Sequence, residues 1–386
     1  GAIIEYIIPE KPDEYMKPYA IVITAKSVQA VELDSGFNAS EHIEKYRTAI
    51  KDGREKDVKS IGSLLYTKLF APVKGIVNSS EIKKLLIVPD GALAFLPFDS
   101  LKSEEGGYLS ERYELSLTPS VTVSAMTRKR EYGKRDSLLA FGGGIYSSTG
   151  ESQTRGGSSF RGMAIEEKER EKIADKAYST PAEYYNAQQL RWSDLPGTER
   201  EVTAINEKIY KKANTGVYTG EKVSEANLKS MSKQGKLKDY SKIHLACHGY
   251  YDPGYPAYSA VVFSEVSGKL KESKDDGYMS VEETALLNLR SDIVVLSACE
   301  TGMGRLVNGD GVIGLSRAFQ VAGSKRVLVT LWPVNDSATE EFMVSMYAKV
   351  RGGTSYREAM IMVKDEFRKS AKYSAPYFWA GFVLYE

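Results

Sequence analysis

Short apolar segments alternate with amphipathic segments along most of this chain, and this alternation predicts its fold class. Between residues 198 and 386, continuous apolar runs at 243–247, 293–297 and 327–331 are separated by segments with helical periodicity. Such runs are typical of strands buried on both faces of a parallel sheet. We therefore expect an α/β fold with a mostly parallel sheet flanked by helices. The helices are expected at 199–212, 224–232, 280–287, 312–321, 338–350 and 355–369.

The first part of the chain shows both kinds of pattern. Residues 18–33 predict two short strands around a turn, and residues 39–75 have helical periodicity. Residues 84–89 predict a strand that a Pro-Asp-Gly turn closes. We expect residues 92–101 (ALAFLPFDSL) to continue as strand and turn, and a new strand to begin at 138–144.

The segment 145–195 differs from its surroundings because it is polar, rich in Gly and Ser, and without periodicity. Such a composition is typical of a loop that does not pack against a core. We expect a flexible insert with a short charged helix inside it. Arg155 and Arg161 leave a second interpretation open, in which the insert is a processing site or gates access to a site.

Composition narrows the classes of partner. The 386 residues include 52 Lys and Arg against 51 Asp and Glu, so no excess charge favours direct binding of nucleic acid or of an anionic membrane. No apolar run approaches the roughly 18 residues that span a bilayer, and the first residues do not resemble a signal peptide. Two cysteines argue against a disulfide scaffold and favour a reducing, cytoplasmic location. We expect no metal site and no cofactor, because the Cys and His residues are only Cys247, Cys299, His42, His244 and His248.

Two of the predicted strands end in residues with reactive side chains. His248 and Gly249 follow the first strand, and Cys299 follows the second, about 50 residues later. A right-handed crossover between parallel strands would bring both strand ends to the same edge of the sheet. A thiol beside an imidazole is the arrangement of a nucleophile and its general base. The backbone amides of Gly249 and Cys299 are then candidates for stabilising an oxyanion.

The other Cys and His residues have structural interpretations. His244 lies on the same strand face as His248 but deeper, so we interpret it as a hydrogen-bonded structural residue. Cys247 lies inside the strand and is interpreted as a packing residue, and His42 lies on a charged helix as a solvated one.

A set of longer segments carries a family resemblance, and in chain order they are KLLIVPDGALAFLPFDSL, LPGTEREVTAI, HLACHG, VVLSACETGMG, NGDGVIGLSRAFQVAG, VLVTLWPVNDSAT and PYFWAGFVLY. Together they resemble the CHAT domain, a caspase-like peptidase family related to separase. The resemblance implies a caspase-like fold with an N-terminal pseudo-protease-like lobe at 1–135 and a catalytic lobe at 136–386. It also implies a cysteine peptidase with His248 and Cys299 as its dyad. This chain has SACET where caspases have QACRG, so cleavage after Asp is not implied.

The resemblance implies partners as well. CHAT domains often follow TPR repeats, so we expect a regulatory partner or an upstream TPR region in addition to a protein or peptide substrate. Some relatives act in bacterial defence, and the same role is open for this chain.

A substrate pocket is implied near the end of the strand at 327–331. Asp336 aligns with the acidic residue of a separase-like LW-x-V-x-D segment, where a carboxylate can accept the charged group of Arg or Lys. Trp332 would form a wall of that pocket, and Asp310 is the second candidate for its carboxylate. Glu300 and Tyr250 are further candidates for lining the groove. Either Asp could instead stand at the start of a helix.

Three alternatives stay open. Separases have an acidic residue where this chain has Pro333, so a preference for an apolar residue at the cleavage site is possible. The fold could serve as a catalytically silent scaffold or interaction module, although the presence of His248, Gly249 and Cys299 argues against it. The dyad could also catalyse another acyl transfer, such as ligation.

Overall fold

The fold is known from a computed structural model of the chain. The residues it describes are 1–9, 16–78, 82–103, 106–146, 183–184, 192, 194–251, 256–264, 275–297 and 310–386, with 310–313 described as backbone only. The predicted insert at 145–195 lies outside the described residues, except for 145–146, 183–184, 192 and 194–195.

Most strands in the described part of the chain belong to one eleven-stranded sheet. Its members are β1 (Ala2–Ile7), β2 (Tyr19–Ile23), β3 (Val28–Glu32), β4 (Lys84–Val88), β5 (Glu114–Leu117), β6 (Leu138–Gly142), β7 (Thr215–Tyr218), β8 (Lys242–Ala246), β12 (Ile293–Leu296), β13 (Val327–Thr330) and β14 (Phe382–Tyr385). Their spatial order is β3-β2-β1-β4-β5-β14-β13-β12-β8-β6-β7. A smaller sheet contains β9 (His248–Tyr250), β10 (Ala260–Val262) and β11 (Tyr278–Ser280).

The pairing within the large sheet is mostly parallel, as the apolar runs predict. Only β1 with β2, β2 with β3, and β13 with β14 pair antiparallel in the described sheet. Every residue of β8, β12 and β13 is buried, as expected for strands that helices cover on both faces. The predicted α/β class, with a large and mostly parallel sheet, is confirmed.

Helices flank the sheet, and polar side chains cap several of them. The described α-helices are α1 (Ala39–Lys51), α2 (Glu55–Leu65), α3 (Ala71–Asn78), α4 (Leu109–Arg112), α5 (Val121–Arg128), α6 (Pro196–Ala204), α7 (Glu225–Lys233), α8 (Val281–Ala285), α9 (Asp310–Ala322), α10 (Asp336–Arg351) and α11 (Tyr356–Lys369). The π-helical segments Tyr66–Phe70 and Ile205–Tyr210 continue α2 and α6. Ser224, Ser280 and Ser355 each accept a hydrogen bond from a backbone amide in the first turn that follows. Among the described helices, none has both the length and the apolar composition that crossing a membrane requires.

The predicted helical stretch at 39–75 is broken once, and the segment after β4 differs from the prediction. Gly53 has φ +67°, a left-handed conformation that favours glycine and separates α1 from α2. Residues Gly91–Phe95 and Phe98–Ser100 form short 3₁₀ helices, so the expected strand at 92–101 is wrong. Pro97 lies between them, and a proline has no N–H to donate to a sheet.

The last strand connects the two predicted lobes. β14 lies between β5 and β13, so strands from both lobes form one continuous sheet. Glu386, which follows β14, forms ion pairs with Arg357 and Arg326. Lys364 on α11 forms an ion pair with Asp99 in the first lobe. The position of the lobe boundary stays a prediction, because the sheet continues across it.

A fully buried polar group links β8 to two helices. His244 Nε2 lies 3.0 Å from Glu201 Oε1 of α6, and His244 Nδ1 lies 3.2 Å from the Tyr347 hydroxyl of α10. None of the three side chains is exposed. Burial raises the pKa of Tyr347 well above its usual value, so its hydroxyl remains protonated and can donate to His244. The structural interpretation of His244 is confirmed.

Replacing Tyr347 with Phe should destabilise the fold, because His244 Nδ1 would lose the partner that it has in this fully buried site. We expect a loss of about 1–3 kcal/mol in the free energy of unfolding, measured by urea denaturation. The matched control is Tyr19→Phe, a partly exposed tyrosine on β2, for which a change within about 0.5 kcal/mol is expected. Equal effects of the two substitutions would show that the Tyr347 hydroxyl contributes no more to stability than the partly exposed hydroxyl of Tyr19.

Candidate active site

His248 lies where the chain passes from the large sheet to the small one. β8 ends at Ala246, Cys247 follows, and His248 is the first residue of β9. β9 pairs antiparallel with β10, and Val262 lies opposite His248. The imidazole is therefore held at the carboxyl end of a parallel strand, where open α/β sheets bind their ligands. Cys247 is buried in the hydrophobic core, as its packing interpretation predicts.

The strand that leads towards Cys299 is the direct neighbour of β8. β12 pairs parallel with β8, with Leu296 opposite Leu245. One residue further, the Ser297 amide donates a 3.2 Å hydrogen bond to the Leu245 carbonyl. The predicted adjacency of the two strand ends is confirmed. Cys299 and Glu300 lie outside the described residues, so their roles stay predictions.

A small cavity lies between the two strand ends. Leu245, His248 and Gly249 line it from one side and Leu296 from the other. Its volume is about 10 Å³, which is about the space that one water molecule needs. Among the described residues, this cavity does not form a groove wide enough for a peptide.

Two aromatic rings cover His248. The Tyr146 ring meets the imidazole edge to face at 4.6 Å between centroids, and the Trp192 ring lies at 4.9 Å. Tyr146 donates its hydroxyl to the Val262 carbonyl at 3.0 Å, and Trp192 donates its indole N–H to the Tyr278 hydroxyl at 2.9 Å. His248 is only 1% exposed. These bonds hold both rings in place over the candidate base.

Sequence reasoning did not identify Tyr146 and Trp192, because both lie in the segment predicted to be a flexible insert. Four described residues of that segment belong to a second hydrophobic cluster, and they are Tyr146, Tyr184, Trp192 and Leu195. The only signal was the presence of large aromatic residues in a stretch otherwise rich in Gly and Ser.

Tyr250, which was predicted to line a substrate groove, lies in the same aromatic cluster. It is 6% exposed, and its ring meets that of Trp192 at 6.4 Å. Alternation along β9 places Tyr250 on the same face as His248. Tyr251 is buried as well. In this structure both rings are packed inside the protein instead of being open to a substrate.

The segment after β13 is held by its neighbours from several sides. Trp332 is fully buried, and its indole N–H donates to the Tyr377 carbonyl at 3.0 Å. A Cβ at Gly381 would approach the Trp332 ring to 2.8 Å, so this glycine permits close packing. Asn335 caps α10 by accepting from the amides of residues 337 and 338. Trp332 is therefore part of the core, and its role as a pocket wall stays a prediction.

Asp336 is the first residue of α10, and its carboxylate faces the start of α6. It lies 3.4 Å from the guanidinium of Arg200, and its side chain is 11% exposed. A Cβ at Gly197 would lie 1.8 Å from the carboxylate, so the two segments are in direct contact. Of the two interpretations, the structure shows Asp336 in the first turn of a helix whose cap is Asn335. Asp310 likewise begins α9, where only the backbone is described.

A larger cavity, of about 430 Å³, lies far along the sheet from His248. It is lined by residues that follow β1 and β4 and by the start of α1, including Asn38 and Asp90. Asp34 in its wall forms a 2.6 Å ion pair with Lys68, and this hydrogen bond lowers the pKa of Asp34. Because neither Cys nor His occurs among its described lining residues, we do not assign the chemistry to this cavity.

Comparison with known proteins gives a family match and two curated relatives. The CHAT domain model matches residues 59–386. Tetratricopeptide repeat protein 28 of Homo sapiens is 25% identical over 354 residues, covering 83% of this chain and 13% of that protein. The Mus musculus protein of the same name is 26% identical over 358 residues, with the same coverage. This chain therefore spans 13% of the length of these relatives.

Solved structures show only a distant likeness. The Saccharomyces cerevisiae separase–securin complex matches with a TM-score of 0.43 and 12% identity, covering 78% of this chain and 15% of that one. The complex of the Porphyromonas gingivalis RgpB pro- and mature domains matches with a TM-score of 0.40 and 8% identity, covering 86% of this chain and 68% of that one.

The contact between Gly197 and Asp336 predicts a pair of compensating substitutions. Gly197→Ala should destabilise the protein by about 1–3 kcal/mol, because the new methyl group overlaps the carboxylate. Adding Asp336→Ala should recover most of that loss, which urea denaturation of the four variants in a double-mutant cycle would measure. Gly75→Ala on α3 is the control, since nothing lies within 4 Å of its added Cβ. Additive effects of the two substitutions would contradict the observed contact.

The Tyr146 and Trp192 rings that cover His248 predict a low reactivity of its imidazole. Trp192→Ala should accelerate modification of His248 by diethylpyrocarbonate, because it removes one of the two rings over the imidazole. Mass spectrometry of the three histidines provides internal controls: His42 should react in both proteins, and His244 in neither. An unchanged rate at His248, or an equal rise at His244, would contradict a local cover.

Proposed function

Because this chain belongs to the CHAT domain family, we propose that it is a cysteine endopeptidase with His248 and Cys299 as its dyad. The observation that supports this most directly is the parallel pairing of β8 with β12. It brings the end of the strand before His248 beside the strand that leads to Cys299. A nucleophile and a base that are distant in sequence require this kind of juxtaposition.

The proposed reaction proceeds through a thioester. His248 accepts the proton of the Cys299 thiol, and the thiolate attacks the carbonyl carbon of a peptide bond. The amides of Gly249 and Cys299 donate to the oxyanion that forms. The protonated His248 then gives its proton to the leaving amine, which breaks the C–N bond. Water, deprotonated by His248, hydrolyses the thioester and releases a carboxylic acid and the free enzyme.

The burial of His248 supports regulation as part of the proposal. Tyr146 and Trp192 pack on the imidazole, and His248 is 1% exposed, so the proposed enzyme would need this cover to open before it binds a peptide. The curated relatives are named for tetratricopeptide repeats and are much longer than this chain. We therefore include an upstream repeat region or a separate partner as the regulator. A role in bacterial defence and a cytoplasmic location remain predictions from the sequence.

A catalytically silent scaffold is the second candidate, and one observation favours it. Among the described residues, the cavity between the strand ends has room for about one water molecule, and a scaffold would not need a wider one. The two candidates differ in a single measurable property, which is hydrolysis that depends on the dyad.

Cys299→Ala and His248→Ala should each lower kcat/KM by at least about 10³-fold, because removal of either member disables a dyad. The measurement is cleavage of a fluorogenic peptide library, with any regulator supplied by the longest natural form of the protein. Cys247→Ala is the matched control, a buried cysteine that should leave cleavage unchanged. Cleavage that survives Cys299→Ala would exclude the dyad. Absence of cleavage in the longest natural form would favour the scaffold.

The same library tests the proposed preference for a basic residue at the cleavage site. The proposal is supported by the Arg200 guanidinium, which lies 3.4 Å from the Asp336 carboxylate. Asp336→Asn should therefore reduce cleavage after Arg and Lys more than cleavage after apolar residues. Cleavage after apolar residues alone would retain the dyad and exclude the carboxylate pocket.

A further inference from the structure

A buried arginine in the first helix contacts the segment beside the candidate site. Arg47 of α1 is 5% exposed, and its Nη2 donates to the Leu331 carbonyl at 2.6 Å. Its guanidinium also lies over the Phe95 ring, 5.0 Å from the centroid. Burial lowers the pKa of Arg47 to about 10, and the nearby Glu44 opposes this change. The side chain is therefore still charged at neutral pH.

Leu331 follows β13 at the carboxyl edge of the large sheet, the edge at which His248 follows β8. β13 pairs parallel with β12, with Val329 opposite Leu296. Leu331 follows two residues later, just beyond the carboxyl end of β13. The Leu331 amide is held from the other side, by a 2.8 Å hydrogen bond to the Gly381 carbonyl. Gly381 and Arg47 therefore hold the two peptide units on either side of the Leu331 Cα.

Burying the Arg47 charge is energetically costly, so its presence indicates a role other than stability. Burial of a guanidinium carries a large desolvation penalty, and an apolar side chain of similar volume often packs with equal or greater stability. A charged donor holds a carbonyl more strongly than a neutral one does. Its contact with the Leu331 carbonyl allows Arg47 to fix the conformation of segment 331–336, which contains Trp332 and ends at Asp336. Arg47 itself lies before the range that matches the family model.

We propose that Arg47 is a positioning residue that holds segment 331–336 in the shape that binds substrate. This inference rests on the proposed peptidase function. It implies that the first lobe contributes to substrate binding without touching the substrate. The chemistry of the dyad is then independent of Arg47, whereas the substrate affinity depends on it.

The test compares Arg47→Met, Arg47→Lys and wild type in three measurements. Arg47→Met should raise KM by at least about tenfold, as small misplacements of binding groups do, and change kcat by less than about threefold. The rate of Cys299 alkylation by iodoacetamide should be unchanged, because it reports the dyad alone. Hydrogen exchange of the amides in 331–339 should accelerate. Arg47→Lys keeps a charged donor and should recover part of the KM, although its ammonium cannot stack on Phe95 as a guanidinium does.

The matched control is Lys45→Met, an exposed cation on the same helix that pairs with Glu41; it should change none of the three measurements. A parallel loss of kcat and alkylation rate in Arg47→Met would show a general structural role and overturn the inference. Unchanged hydrogen exchange in 331–339 would overturn it as well. If Arg47→Met does not fold, a wild-type KM in Arg47→Gln, which lacks the charge, would overturn it.

The experiment distinguishes a failure of the proposed peptidase function from a failure of the inference about Arg47. If wild type shows no cleavage that depends on Cys299, the peptidase is excluded and the substrate-binding role of Arg47 with it. Hydrogen exchange would then still decide whether Arg47 holds segment 331–336.

Discussion

The parallel pairing of β8 with β12 is the constraint on which the candidate site depends. All residues of both strands are buried, so their side chains pack on helices at both faces. A shift of the register by one residue would move every side chain to the opposite face and break that packing. The register therefore fixes which residues leave the sheet at its carboxyl edge. His248 owes its position to this pairing, and so does the approach of the chain to Cys299.

Buried polar contacts with the flanking helices stabilise the strands around the candidate site. Glu201 and Tyr347 hold His244 inside β8, while Arg47 holds the carbonyl that follows β13. Each of these groups is costly to bury and is useful only with its partner in place. The strands around the candidate site are thus fixed by hydrophobic packing and also by directional bonds. Hydrogen bonds fix the orientation of these strands more strictly than hydrophobic packing alone does.

The sequence predicted those features that depend on local pattern. The apolar runs predicted β8, β12 and β13, and the helices expected from residues 224, 280 and 355 begin at Glu225, Val281 and Tyr356. Parallel pairing of β8 with β12 followed from chain order and the handedness of crossovers. Together these were enough to identify the edge of the sheet where the candidate residues lie.

The features that the sequence did not predict depend on contacts between distant segments. Tyr146 and Trp192 are 46 positions apart in the sequence, and each packs on His248. No periodicity marks them, since neither lies in a helix or strand. The position of β14 between β5 and β13 could not be predicted either, because the apolar sequence of a strand does not specify which strands it pairs with. Nor could the sequence show that Gly197 and Arg200 are the residues that face Asp336.

The covered state of His248 does not by itself distinguish an enzyme from a scaffold. A protein in equilibrium between covered and open states binds substrate only through the open fraction. If that fraction were about one in a hundred, the apparent kcat/KM would fall about 100-fold, which corresponds to about 2.7 kcal/mol. Loss of a few aromatic contacts and hydrogen bonds is of this size. A regulator that binds the open state more tightly would recover the activity, whereas a scaffold would gain nothing from opening. The aromatic cover is therefore compatible with a peptidase that is kept inactive until it is needed.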